Sequence, residues 1–230
     1  MAERVLVVDD EAQITRVLRT ALSAQGYDVR AANDPEEALR LFEEWSPDLI
    51  VTDLMMPGMS GVELCREIRA IASTPIIVLS VREQEGAKVA ALDAGADDYV
   101  TKPFSPRELQ ARVRALLRRM EPTAADSEKP ITRGALQLDP ASFRVTRDGE
   151  ALPMSTLEFR LLYFLASHPD RVYSRDQLLD AVWGSERFVT PRSVDVYVRR
   201  IRKKVELDPE RPAYLKTLRG AGYIFQGRAE

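Results

Sequence analysis

The chain is poor in the residues from which many enzyme centres are built. Its 230 residues include one cysteine, Cys65, and one histidine, His168. A single cysteine excludes an internal disulfide and fits a reducing cytoplasm. Cys65 falls at helical spacing with Val62 and Ile68, as a small core residue does. His168 precedes Pro169-Asp170 in a turn, and without His or Cys companions it has no partners for a metal centre. No apolar run approaches the roughly 20 residues that span a bilayer. A strand pattern begins within a few residues of the first, so no signal peptide is expected. Repeats and low-complexity tracts are absent as well.

What remains is the profile of a globular protein, 45% hydrophobic and 30% charged, long enough for two domains. The net charge of −3 conceals an asymmetry. Residues 1–121 carry 15 Lys and Arg against 21 Asp and Glu, whereas the remainder carries 18 against 15. An acidic half followed by a basic half suggests that only the second meets a polyanion. Between them, residues 121–130 hold two prolines and no apolar periodicity, which predicts a linker. The expected domains are therefore 1–120 and 131–230.

In the first half, strand and helix patterns alternate five times. Strand patterns at 4–8, 28–32, 49–53, 75–80 and 97–100 are separated by helical patterns, and a last helical pattern follows at 105–119. This alternation predicts an α/β doubly wound, five-stranded parallel sheet. Open sheets of this kind place ligand sites at the carboxyl ends of their strands. Asp53 ends the run Leu49-Ile50-Val51, and Pro57, Gly58 and Gly61 follow it in a loop. Asp9 and Asp10 directly follow the run Val5-Leu6-Val7-Val8. A lone aspartate there would read as a turn residue. Three carboxylates converging on one edge repel one another, and a hard divalent cation with oxygen ligands, such as Mg²⁺, relieves that conflict. Ser80 ends the next strand pattern and Lys102 follows the last one, adding a hydroxyl and an ammonium. Such a set suits phosphoryl transfer to a carboxylate. Lys102-Pro103 is a candidate cis peptide.

These motifs, together with Ala94-Gly95-Ala96-Asp97-Asp98-Tyr99 and Lys102-Pro103-Phe104, resemble those of a response-regulator receiver domain over residues 1–120. The resemblance implies that Asp53 accepts phosphate from a sensor histidine kinase. It also implies that Asp10, Asp53 and the Met55 carbonyl hold Mg²⁺, with Asp9 acting through water. Lys102 would pair with a phosphoryl oxygen, Ser80 would hydrogen-bond the phosphoryl group, and Tyr99 would rotate inward behind it. Such a domain is a phosphoacceptor, not an enzyme, although it assists its own phosphorylation and dephosphorylation.

The second half opens with short strand patterns, and Asp148-Gly149 between two of them is a hairpin signal. Three helical patterns follow. The first starts at Ser155 with Glu158 three residues on, the second spans Ser174–Trp183, and the third runs from about Thr190 to Glu206. A closing hairpin, Tyr214–Phe225, has the glycine-rich tip Arg219-Gly220-Ala221-Gly222. The third helix carries Arg192, Arg199, Arg200, Arg202, Lys203 and Lys204 against one interior acid, Asp195. A solvated basic face is one reading. With the preceding helix and the hairpin, the other is a winged helix-turn-helix, an α+β domain whose second helix enters the major groove.

Residues 131–226 resemble the winged-helix effector domain of the OmpR/PhoB-type transcription factors. The segments that carry this are Glu158–Leu162, Arg171–Arg175, Val182-Trp183-Gly184, Arg192–Val196 and Arg219–Tyr223. The effector half is most similar to the phosphate-regulon type. Ala90–Gly95 and Glu108–Arg112 are similar to the Kdp potassium-response type. The resemblance implies contacts to double-stranded promoter DNA from Arg192, Ser193, Asp195, Val196, Tyr197, Arg199, Arg200, Arg202, Lys203, Thr217 and Arg219. RNA polymerase is a further partner of such a regulator. Tyr197 occupies a position that varies with operator sequence. Ile224 stands where many family members have a wing arginine, which removes one possible phosphate contact.

Lys88, Asp97, Asp98, Glu108, Arg112 and Arg119 form a set of complementary signs across 83–119. Ordinary surface charge accounts for such a set. A two-fold axis could also pair Lys88 with Glu108, Asp98 with Arg112 and Asp97 with Arg119, and receivers of the resembled family dimerise through this face. The sequence thus reads as a two-component response regulator that dimerises on phosphorylation and regulates transcription. Two alternatives stand beside it. One is a receiver-like factor that dimerises and binds DNA without phosphate. The other is an aspartate-nucleophile phosphatase, which usually needs a second acid where Met55 stands.

Overall fold

The computed structural model describes residues 2–81, 85–120, 129–184 and 190–226, with backbone only at 85, 119 and 120. The chain divides into two compact units, residues 1–118 and 119–230. Most of the expected linker, 121–128, lies outside the described residues.

The first unit alternates β1 (Arg4–Val8), α1 (Ala12–Ser23), β2 (Asp28–Ala32), α2 (Pro35–Trp45), β3 (Leu49–Asp53), α3 (Gly61–Ile71), β4 (Ile76–Ser80), α4 (Glu85–Ala94), β5 (Asp98–Thr101) and α5 (Pro106–Met120). All neighbouring strands are parallel, in the order β2-β1-β3-β4-β5. β3 and β4 are buried along their whole length, which is why they read as unbroken apolar runs. Helix starts follow local chemistry. Asp34 accepts a hydrogen bond from the Glu37 amide at 2.7 Å, and Ser60 with Glu63 forms a capping box at the start of α3. The strand order reverses between β1 and β3, and that crevice is where the acidic residues lie.

Gly61 fixes how α3 meets β3. A Cβ at this position would lie 1.9 Å from the Asp53 carbonyl oxygen, so only glycine lets the helix begin there. The Gly61 amide also donates to the Leu54 carbonyl at 3.0 Å, closing the intervening loop on itself.

The second unit starts with an antiparallel sheet of β6 (Ile131–Arg133), β7 (Leu136–Asp139), β8 (Arg144–Arg147) and β9 (Glu150–Leu152). Asp148 and Gly149 both adopt positive φ, the conformation that a two-residue hairpin turn demands. Then come α6 (Thr156–Ser167), β10 (Val172–Tyr173), α7 (Arg175–Trp183), α8 (Pro191–Val205), β11 (Leu215–Leu218) and β12 (Gly222–Phe225). The core buries Leu157, Phe159, Leu161, Trp183, Tyr197 and Phe225. Two strands escaped the sequence reading, β6 and the two-residue β10. β10 pairs with β12, so the closing hairpin belongs to a three-stranded sheet of order β10-β12-β11.

Candidate functional site

Three carboxylates meet at the carboxyl edge of the parallel sheet. Asp9 follows β1 and is fully buried, Asp53 ends β3 and is 6% exposed, and Asp10 lies open to solvent. One carboxylate oxygen from each lies within 4.8 Å of the others. The Lys102 ammonium reaches in just after β5. It donates to Asp9 Oδ2 at 2.8 Å and lies 3.0 Å from Asp53 Oδ1. The Lys102–Pro103 peptide is cis. Backbone amides supply further donors: Glu11 to Asp9 at 3.0 Å and Met55 to Asp53 at 3.2 Å.

The electrostatics follow from burial. Desolvation raises the Asp53 pKa above the usual carboxylate range, and the Asp9 charge adds to this, although Lys102 pulls it down. Burial by itself depresses the Lys102 ammonium, but hydrogen bonds and charge from Asp9 and Asp53 outweigh it and leave the pKa raised. Lys102 is therefore a protonated counterion for both acids. An all-oxygen donor set of this kind suits Mg²⁺.

Ser80 ends β4, is fully buried, and stands opposite Thr101 in the register. Its carbonyl accepts from the Lys102 amide at 2.7 Å. Tyr99 on β5 is 9% exposed, with the Lys88 ammonium 5.8 Å from its ring centroid. Beside the acids, an apolar groove of about 510 Å³ is lined by Ile14, Val17, Leu18, Val81, Lys102 and Phe104.

On the 83–119 face the structure pairs charges within the chain. Arg112 donates to Asp98 at 2.9 Å and to Glu108 at 2.7 Å. Asp97 departs from the expected interface set. Its carboxylate is buried, ion-pairs with Arg69 and accepts from the Ile76 amide at 2.9 Å. Arg69 also donates to the Gly95 carbonyl at 2.8 Å, so this cluster staples α3 to the start of β5. An intersubunit pair of Asp97 with Arg119 does not fit that burial, and the Arg119 side chain lies outside the described residues.

In the second unit, α8 offers a narrower basic face than its sequence suggests. Arg192, Arg199 and Lys203 are exposed at positions that recur along one side of the helix. Arg202 is half-buried and reaches the wing, donating to the Leu215 carbonyl at 2.9 Å and the Thr217 hydroxyl at 2.7 Å. Thr217 and Arg219 are exposed on β11 and its turn. Arg200 and Tyr197 require correction as DNA contacts. Tyr197 is fully buried against Trp183, with ring centroids 5.1 Å apart. Arg200 lies over Tyr197 and ion-pairs at 2.7 Å with Glu158, itself wholly buried. Ser193 and Val196 are also buried, at 6% and 5% exposure.

Glu158 thus has a second task beyond capping α6, since Lys204 holds its other oxygen at 2.7 Å. Burial alone would raise its pKa, but Arg200 and Lys204 bring it below the usual range. Sequence reasoning also missed Arg175. Its guanidinium meets Asp195 at 2.7 Å, and the Tyr223 hydroxyl donates to the same oxygen at 2.5 Å. No sequence spacing signals that meeting, because the three residues come from α7, α8 and β12.

Comparison with known proteins assigns both units to families. Residues 5–114 match the response regulator receiver domain family, and residues 149–225 match the family described as transcriptional regulatory protein, C terminal. The chain is 45% identical over 232 residues to the phosphate regulon transcriptional regulatory protein PhoB of Pseudomonas aeruginosa, covering all of both chains. It is 44% identical to the DNA-binding response regulator MtrA of Mycolicibacterium smegmatis, covering 97% of this chain and 96% of that one. Among solved structures it is similar to DrrB, a Thermotoga maritima OmpR/PhoB homolog. That match has a TM-score of 0.52 and 36% identity, and covers 99% of this chain and all of that one. The chain belongs to the two-component response regulators of the OmpR/PhoB type, with a receiver domain followed by a winged-helix DNA-binding domain. Among the described residues, no helix is long and apolar enough to cross a membrane.

Proposed function

We propose that a sensor histidine kinase phosphorylates Asp53, and that phosphorylation controls binding of the second unit to promoter DNA. The observation that carries this reading is Lys102 held between Asp9 and Asp53, with Asp10 alongside. Asp53 is the acceptor because it ends its strand, is shielded from bulk water and has Lys102 beside one oxygen. Attack by a carboxylate oxygen on the phosphorus of a phosphohistidine forms an acyl phosphate, and the imidazole departs. Lys102 and the Ser80 hydroxyl are the groups available to meet the phosphoryl oxygens. Asp10, Asp53 and the Met55 carbonyl would hold Mg²⁺, with Asp9 acting through water, and the ion supplies charge neutralisation for the transferring group. The same residues assist the later hydrolysis, so the protein is a phosphoacceptor and a regulator. The kinase docks beside the acids, where Val17 and Val81 stand exposed at 48% and 67% along the apolar groove.

Phosphorylation pulls Ser80 and Tyr99 inward and reshapes the face that carries Lys88, Asp98, Glu108 and Arg112. Dimerisation there brings two winged helices to DNA and raises their effective concentration. Arg192, Arg199, Lys203 and the wing residues Thr217 and Arg219 then meet phosphates and groove edges. Incubation with acetyl phosphate and Mg²⁺ is expected to add one phosphoryl group at Asp53, read by mass spectrometry. An Asp53→Asn chain should keep its fold and take none. Equal labelling of that variant would overturn the assignment.

A further inference from the structure

We propose that Arg175, on α7 and outside the recognition helix, is a positioning residue for DNA binding that cancels the charge of Asp195. The inference rests on the reading of α8 as the DNA-facing helix and deepens it. Asp195 is the one acid within α8. It lies one turn from both Arg192 and Arg199, so it shares the side of the helix that carries the exposed cations. An uncompensated carboxylate there would repel the phosphates that those cations attract. Arg175 meets it at 2.7 Å, and the Tyr223 hydroxyl donates to the same oxygen. The Arg175 guanidinium also lies 5.2 Å from the Tyr223 ring centroid, so the wing tyrosine braces it.

The exposure of this pair argues against a mainly structural role. The Arg175 and Asp195 side chains are 35% and 40% exposed, and ion pairs this open contribute little to fold stability. Their leverage lies in the field they present to an incoming polyanion. Burial, with help from Asp195, pushes the Tyr223 hydroxyl up to about 12, so it stays protonated and remains a donor. Arg202 also approaches this cluster, 6.0 Å from the Tyr223 ring centroid, and ties α8 to Thr217.

The test uses the full chain and a mixed-sequence DNA duplex, because charge cancellation acts on phosphates whatever the bases. Arg175→Ala is expected to lower affinity about tenfold, the effect of one uncompensated charge near the backbone. Adding Asp195→Asn in the same chain should recover most of that loss, and Arg175→Lys should retain most of the affinity. A direct phosphate contact by Arg175 predicts otherwise: the salt slope falls by about one and Asp195→Asn restores nothing. That result, in a double variant that melts as wild type does, overturns the proposal. Arg199→Ala and Lys203→Ala separate the two levels. If they weaken binding while the rescue fails, only the Arg175 role falls. If they leave binding unchanged, the DNA-facing reading of α8 falls with it. Should Arg175→Ala fold poorly, Arg175→Gln with and without Asp195→Asn supplies the same comparison.

Discussion

Replacing Arg200 with alanine is expected to unfold the effector unit more readily, instead of acting only on DNA affinity. The Arg200 side chain is 7% exposed and the Glu158 side chain is fully buried. Removing one member of a buried pair typically costs about 3–5 kcal/mol, because the other charge is left uncompensated. Here Lys204 and the Ser155 amide still hold one Glu158 oxygen. The expected loss is therefore about 2–4 kcal/mol, a little below that range. In guanidinium this moves the midpoint down by roughly 1 M. Heating should show a drop on the order of 10–20 °C for a unit of this size. The two tryptophans, Trp45 and Trp183, fall one in each unit. In a Trp45→Phe background, Trp183 fluorescence reports the effector unit alone. Arg199→Ala, on the exposed side, should stay within about 0.5 kcal/mol of wild type. The pH dependence adds a check. The folded pKa of Glu158 is depressed, so its contribution is complete above the unfolded value and is lost as pH falls through the folded one. With Arg200 gone the depression shrinks, and the variant should lose less additional stability across that acid range. An unchanged midpoint together with a collapse of DNA binding would mean that Arg200 faces the duplex, and would refute this reasoning.

Three further outcomes follow from the geometry. Carboxyl ¹³C titration of the metal-free protein should place the Asp53 midpoint above the usual carboxylate range, and Lys102→Ala should raise it further by removing the nearby cation; an unshifted midpoint in that variant would separate Lys102 from the site. Arg199→Ala and Lys203→Ala should each flatten the salt dependence of DNA binding by about one unit, read from affinities across a salt series, and unchanged slopes would take α8 off the duplex. Glu108→Lys should keep beryllofluoride binding but lose dimerisation in sedimentation, and Lys88→Glu in the same chain should restore it; dimerisation of the single variant at wild-type strength would exclude this face.

Much of this was legible in the sequence because it is local. A buried parallel strand is an apolar run, and Asp53 and Ser80 each stand at the end of one. The capping box at Ser155 follows from a serine and the glutamate three positions on. The losses came where one element is enclosed by several others. On α8 the apolar residues Val194, Val198, Ile201 and Val205 are buried, but packing on more than one side also covers Tyr197 and Arg200. Every arginine then reads as solvated, since the buried acid that receives Arg200 lies 42 positions away on α6. Asp97 misled in the same manner, because its partner Arg69 belongs to α3 and nothing in its own segment points there. β10 has only two residues, too few for any periodicity.

The closed loop between Leu54 and Gly61 has a further meaning for how such a protein can diversify. Its two ends are joined by a backbone hydrogen bond, and the glycine lies flush against the carbonyl of Asp53. Residues 55–60 therefore form an arch whose feet are pinned. Beyond Met55, whose amide holds the Asp53 carboxylate, the composition of the arch can change without levering α3. A new surface could thus be written into the arch while the carboxylates beside it keep their places.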